Sequence, residues 1–253
     1  MSGEKQPYLS VVVTARNDDH GGNLLGRMQA FVNGLLRQCA RHQLPAELIF
    51  VEWNPPAAKP KLIDALRWPD SGGYCDVRII EVPAELHQRY RHWQTMPLYQ
   101  MIAKNVGIRR ARGEWVLATN IDILFSDELM EFIARRRLDS NRMYRVDRWD
   151  VMPDVPVDES VEDQLRYCES HVLRVNLREG TFNRAADGSI AFADDDIAPP
   201  AGPVRLGPGW YTREMSGDEP FRWVDRDAQL TLVGASGKYL TLDVEPGPGV
   251  PMG

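Results

Sequence analysis

The sequence predicts an α/β fold: a mainly parallel sheet flanked by helices over residues 1–180, followed by a small β-rich segment over residues 181–253. Three observations predict it. Short, nearly continuous apolar runs recur along the first part, as expected of strands buried on both faces. Between them lie segments whose apolar residues follow helical spacing, and such alternation points to parallel strands joined by crossover helices. After about Gly180 the chain turns to short aromatic stretches divided by turns, which reads as a partial β-sandwich.

The first strand is residues 8–14 (YLSVVVT), and a polar loop, residues 16–22, follows it. Leu24, Leu25, Met28, Phe31, Val32, Leu35, Leu36 and Cys39 then recur at helical spacing, giving an amphipathic helix over 23–42. Residues 47–53 (ELIFVEW) form the second strand and 76–82 (DVRIIEV) the third. A helix over 97–112 starts at Pro97, which suits a first turn, and stops at Gly113. Residues 114–117 (EWVL) begin the next strand. Ser126 caps a helix running to Leu138, with Asp127 and Glu128 in the turn where the helix dipole favours negative charge. Residues 143–151 read as another strand, and Val161, Leu165, Cys168 and Val172 as a further helix. Residues 194–208 are rich in acid, proline and glycine and read as a linker. Strands are expected at 209–212, 221–224, 228–233 and 239–244. They are few for a closed sandwich, so the segment reads as an incomplete module.

Composition narrows the function. A net charge of −6 argues against nonspecific nucleic-acid binding, which needs a basic surface to displace counterions. The arginine clusters at 109–112 and 135–137 fall on predicted helices and read as solvated faces. Cys39, Cys75 and Cys168 have no metal-ligand spacing, so free thiols in a reducing compartment are expected. The first residues carry no apolar signal core, and no run approaches the roughly 18 apolar residues of a membrane span. The chain reads as cytoplasmic, with peripheral membrane association left open. The histidines show no ligand spacing, and Asp194-Asp195-Asp196 lacks the glycine and glutamate of a calcium loop.

A parallel sheet binds its ligand outside the carboxyl ends of its strands. Neither Gly-x-Gly-x-x-Gly nor a Gly-Lys-Ser/Thr loop follows the first strand. Thr14-Ala15-Arg16-Asn17-Asp18 stands there instead; it suits a base, a ribose or a diphosphate, but taken alone it reads as an ordinary polar turn. Further on, an apolar strand runs into Asn120-Ile121-Asp122 and returns to apolar residues. Alternate strand residues share a face, so Asn120 and Asp122 would point the same way and, with diphosphate oxygens, suit Mg²⁺ or Mn²⁺. The plainer alternative is that Asp122 caps a turn and Asn120 bonds the backbone.

These segments, taken in order, resemble the family 2 glycosyltransferases, which have the GT-A fold. Lys104-Asn105-Val106-Gly107-Ile108-Arg109 is similar to the family's Asn-x-Gly helix, and Asn120-Ile121-Asp122 stands where its Asp-x-Asp motif is expected. The opening SVVVTARND resembles the first strand and nucleotide-binding loop, and Glu52 takes the place of the acid that contacts base or ribose. The resemblance covers residues 8–151. It implies a UDP- or GDP-sugar donor, with Thr14, Ala15, Arg16, Asn17, Glu52, Asn105, Arg109 and Asn120 at the donor. Of these, Arg16 and Arg109 are the diphosphate contacts, and Asn17 and Glu52 hold the nucleoside. It implies Asp122, assisted by Asn120, as ligand of Mg²⁺ or Mn²⁺. Asn120 replaces the family's first acid and removes one negative charge, which implies weaker metal affinity.

The resemblance further implies inverting transfer to a glycan or other hydroxyl acceptor, in bacterial cell-surface polysaccharide synthesis. Such a transfer needs a carboxylate base. Asp147 is the nominee, with an ion pair to Arg145 or Arg148 as the alternative. The stretches GWYTRE and FRWV resemble a jelly-roll-like module of some bacterial glycosyltransferases. Two other readings stay open: a noncatalytic sugar-nucleotide or glycan-binding protein, and a sugar nucleotidyltransferase. The second is disfavoured because the glycine-rich, basic loop such enzymes place after the first strand is missing.

Overall fold

The computed structural model describes residues 6–177, 180–185, 188–192, 204–206, 209–216, 219–224 and 228–232. The chain forms two compact units: residues 1–143 with 155–167, and residues 144–154 with 168–253. The sequence places its boundary at Gly180, whereas the packing divides the chain earlier and interleaves the two units.

The first unit is α/β. It contains β1 (Leu9–Ala15), α1 (Leu24–Arg41), β2 (Ala46–Trp53), α2 (Leu62–Ala65), β3 (Cys75–Val82), α3 (Ala84–His87), α4 (Gln100–Ile108), β4 (Trp115–Ala118) and α5 (Asp127–Ala134). The strands form one sheet in the order β3-β2-β1-β4, and every pair is parallel. Both central strands are buried along their whole length, which is why each reads as a mainly apolar run, broken by Ser10 and Thr14 in β1 and by Glu47 and Glu52 in β2.

Alternation sorts their side chains onto two faces. Leu9, Val11, Val13, Leu48 and Phe50 meet Met28, Phe31, Leu35 and Leu36 of α1 and Met130 and Ile133 of α5. Val12, Ile49, Val51 and Trp53 pack with Tyr99 and Ala103 at α4. Gly107 permits this close approach, since a Cβ there would stand 2.4 Å from Val12 Cγ1.

The helix ends follow local chemistry. Asp19 Oδ1 accepts the Leu24 N–H (3.1 Å) at the start of α1, and Ser126 Oγ accepts the Leu129 N–H (3.3 Å) at the start of α5. Helix α4 is shorter than the 97–112 expected. Its end is pulled out of helical geometry by tertiary bonds, with Arg112 N–H donating to Glu47 and Gly113 N–H to Ser10 Oγ.

The helix α6 (Val161–Ser170) begins in the first unit. Its apolar spacing runs on through Val172, but Val172 starts a strand. The second unit contains β5 (Arg148–Val151), β6 (Val172–Leu177), β7 (Gly180–Arg184) and β8 (Ile190–Phe192) in one antiparallel sheet ordered β5-β6-β7-β8. Of the strand expected at 143–151 only Arg148–Val151 forms, as an edge strand of an antiparallel sheet with Arg148 and Trp149 exposed. Two antiparallel pairs follow, β9 (Val204–Leu206) with β12 (Leu230–Leu232), and β10 (Trp210–Ser216) with β11 (Glu219–Val224). The expected strand at 239–244 and the triplet Asp194-Asp195-Asp196 lie outside the described residues. Among the described residues no helix is long and apolar enough to cross a membrane.

Candidate functional site

The strand order reverses direction at β1, because β2 and β3 lie on one side of it and β4 on the other. In open α/β sheets the crevice at such a switch point, outside the strand carboxyl ends, is where ligands bind. Two loops frame it here, residues 16–23 after β1 and 119–126 after β4.

The loop after β1 is tied to the segment after β2. Arg16 donates from Nε to the Asn54 carbonyl (2.7 Å) and pairs through NH1 with Asp18 (3.0 Å). Asn17, buried, donates to the Pro60 carbonyl (2.9 Å). Glu52 is also buried, and both its carboxylate oxygens accept the Leu62 N–H, at 3.0 and 3.1 Å. Burial pushes the Glu52 carboxyl above its ordinary value, partly offset by that hydrogen bond. These residues are brought together at the strand ends, where they act as cross-links between loops. Thr14 and Ala15 are buried at the end of β1, and the Thr14 hydroxyl has no hydrogen-bond partner among the described residues.

The loop after β4 departs from the expected extended strand. β4 ends at Ala118 and residues 121–122 turn, because Ile121 and Phe125 enter the core facing α1. Strand alternation therefore does not apply to Asn120 and Asp122. Each meets a cation instead. Asn120 Oδ1 accepts from Lys104 Nζ and from Gln100 Nε2, both at 3.1 Å. Gln100 and Lys104 are one helical turn apart on α4, so they share a face. Asp122 Oδ2 pairs with Arg27 of α1 at 2.7 Å.

Arg27 is held on every side. Its Nε donates to the Gly22 carbonyl (3.2 Å) and its NH2 to the His20 carbonyl (2.6 Å). The loop curls round it through left-handed residues Asp19, Gly21, Gly22 and Asn23. Lys104 is half-buried, its ammonium partner is a neutral amide, and burial lowers its pKa. Arg27, Gln100 and Lys104 escape sequence reasoning. The spacing of Gln100 and Lys104 was the one available signal.

The other expected residues are set apart. Asn105 is exposed on α4. Arg109 caps the carboxyl end of α4, roughly 13 Å along the axis from Gln100. Its neighbours Arg110 and Arg112 bond Arg78 and Glu47, near the starts of β3 and β2. Arg109 is therefore at the opposite end of the sheet from Asn120, out of place for the expected diphosphate contact. Asp147 is exposed and belongs to the second unit. Neither expected ion pair forms, as Arg148 pairs with Asp150 and Arg145 donates to the Leu177 carbonyl.

An aromatic cluster fixes the approach to α4. Trp53 Nε1 donates to His87 Nδ1 (2.9 Å), so His87 Nε2 carries the proton and donates to the Trp93 carbonyl (2.9 Å). Trp53 packs edge-on against Tyr99, the residue that opens α4.

The donor set fits a divalent ion poorly. Mg²⁺ and Mn²⁺ favour several oxygen ligands, carboxylates above all. Here the one carboxylate of the turn is held by a guanidinium and the amide oxygen by an ammonium. Among the described residues no group of three or more His, Cys, Asp or Glu is placed to hold a metal. Comparison with family models, curated proteins and solved structures finds no significant match in any of the three.

Proposed function

We propose that the chain binds a nucleoside-diphosphate sugar at the switch-point crevice and transfers its sugar to a hydroxyl of a glycan or similar acceptor. In this reading it is a GT-A-like, family 2-type glycosyltransferase. The observation that carries the reading is the convergence of Lys104 and Arg27 on the turn Asn120-Ile121-Asp122 at the sheet's carboxyl edge. Breaking a glycosyl–phosphate bond leaves growing negative charge on the diphosphate, and fixed positive groups stabilise that charge more in the transition state than before it. The ordered motifs after β1, along α4 and after β4 support the same reading.

The residues divide the work. Lys104, Gln100 and Arg27 face the diphosphate, while Arg16, Asn17 and Glu52 hold the loops that shape the nucleoside end. The Mg²⁺ or Mn²⁺ that the family resemblance implies would sit at Asp122 only if Arg27 released it.

A second reading, a noncatalytic sugar-nucleotide or glycan-binding protein, is favoured by the prior engagement of both Asn120 and Asp122. One experiment separates the two. The protein is incubated with UDP- and GDP-sugars and simple glycoside acceptors, and products are read by mass spectrometry beside nucleotide binding by calorimetry. Product together with binding supports the transferase. Binding without product supports the second reading, and no binding of either nucleotide contradicts both.

A further inference from the structure

We infer that the diphosphate in this crevice is held by Lys104 and Arg27 acting in place of a divalent cation, so that nucleotide binding is metal-independent. The inference rests on reading the crevice as a nucleoside-diphosphate site. Its ground is the way the two cations are built into the fold.

Arg27 is a positioned group rather than a surface side chain. Three of its nitrogens are used, on Gly22, His20 and Asp122. A Cβ on Gly21 would meet its NH2 at 2.9 Å, so the loop closes on the guanidinium. Asp19 and Asn23 adopt left-handed backbone with φ of 63° and 45° to complete that wrap, a conformation that Asp and Asn take more readily than other non-glycine residues. A guanidinium presents five N–H donors in a fixed fork, so two remain for phosphate oxygens. A metal ion arriving at Asp122 would meet this fixed positive charge first.

Lys104 complements it. Its helix is locked to the sheet by the buried pair Ala103 and Gly107, which sets Gln100 and Lys104 at the strand ends. Among the described residues this half-buried ammonium is bonded to an amide and meets no anion to compensate its lost hydration. The unpartnered Thr14 hydroxyl lies on the same face of β1 as Val12, the face covered by α4. β4 leaves its register with β1 at Ala118 opposite Val12, just before the turn. Asn120 and Asp122 are two residues apart, so their Cα atoms are at most about 7 Å apart. The two cations thus bind the two ends of one short turn.

The test is calorimetry of UDP, GDP and inorganic pyrophosphate on the full chain, in EDTA and in Mn²⁺, repeated on Lys104→Met. The expected result is nucleotide binding in EDTA within about threefold of that in Mn²⁺, with at least tenfold weakening in the variant. Nucleotide binding seen only with Mn²⁺ overturns the inference and leaves the sugar-nucleotide reading standing. That comparison uses the wild type alone, so it decides even if the variant fails to fold. Unaltered binding by a folded Lys104→Met also overturns it. Pyrophosphate binding in EDTA without either nucleotide supports the two-cation anion site but contradicts the nucleotide reading. No binding of any probe overturns both.

Discussion

The two ends of the parallel sheet treat buried charge in opposite ways. At the amino edge, Glu47 is buried yet fully matched. It accepts from Ser10 Oγ (2.6 Å), Arg112 N–H (2.6 Å) and Arg78 NH1 (2.6 Å). Burial alone would raise its carboxyl, but these donors together hold it below the ordinary value. At the carboxyl edge, Glu52 has one backbone N–H and is pushed up by burial, and among the described residues Lys104 is bonded to the amide of Asn120 alone. Most buried polar groups in native folds are matched, and weakly matched ionisable groups gather at functional sites. The amino edge is therefore a clamp joining β1, β2, β3 and the α4–β4 turn. The carboxyl edge matches its buried groups less fully, and it is there that we propose the ligand binds.

The largest effect should come from breaking the clamp. Glu47→Ala leaves Ser10 and the Arg112 N–H without their shared acceptor. We expect a loss of about 3 kcal/mol, a fall in Tm of roughly 6–12 °C, measured by calorimetric or dichroism melting. A loss below about 1 kcal/mol would remove the distinction between the two edges.

Gly107→Ala comes next. The added methyl would stand 2.4 Å from Val12 Cγ1, so overpacking should outweigh the helix propensity that alanine brings. A net loss of about 1–2 kcal/mol in urea unfolding is expected. Because α4 would lift, nucleotide affinity should fall with stability, which links the packing to the site. Stability lost with affinity intact would break that link.

Glu52→Gln sharpens the contrast through pH. A carboxyl whose folded value is raised contributes stability that is full below its unfolded value, about 4.3, and lost as pH rises through its folded value. Glu47, held low, does the reverse: its contribution is present above the unfolded value and lost as pH falls through the folded one. Glu52→Gln should thus flatten the decline in stability above about pH 4.3, by about 1 kcal/mol or less. Urea midpoints across that range would show it, and an unchanged profile would argue against the unmatched burial of Glu52. The smallest change is expected for Lys104→Met, within about 0.5 kcal/mol of wild type in the same unfolding assay. A loss matching that of Glu47→Ala would make Lys104 a structural residue.

The sequence is legible where burial is local in its signature. β1 and β2 are legible because strands covered on both faces are mainly apolar, the edge strand β3 because of its Val77, Ile79, Ile80 and Val82, and α5 because Ser126 caps it. Partner choice left weaker marks. The alternation over 143–151 suits any strand, and nothing in it names an antiparallel neighbour. Val172 continued the spacing of α6 by coincidence of period and concealed the start of β6. The site was legible as a region rather than as residues. The turn after β4 stood out because it sets polar side chains among apolar ones. That Arg27 would reach Asp122 across 95 residues, and Lys104 reach Asn120 across 16, depends on helix docking that no local pattern encodes.

Hydrogen–deuterium exchange of the wild type, with and without saturating UDP or GDP, tests most directly whether the carboxyl edge is the ligand site. Slowed exchange is expected at residues 14–23, 100–104 and 119–122, with no change at 46–48, 75–78 and 109–113. Protection confined to the amino edge, or none at any segment under either nucleotide, would contradict it.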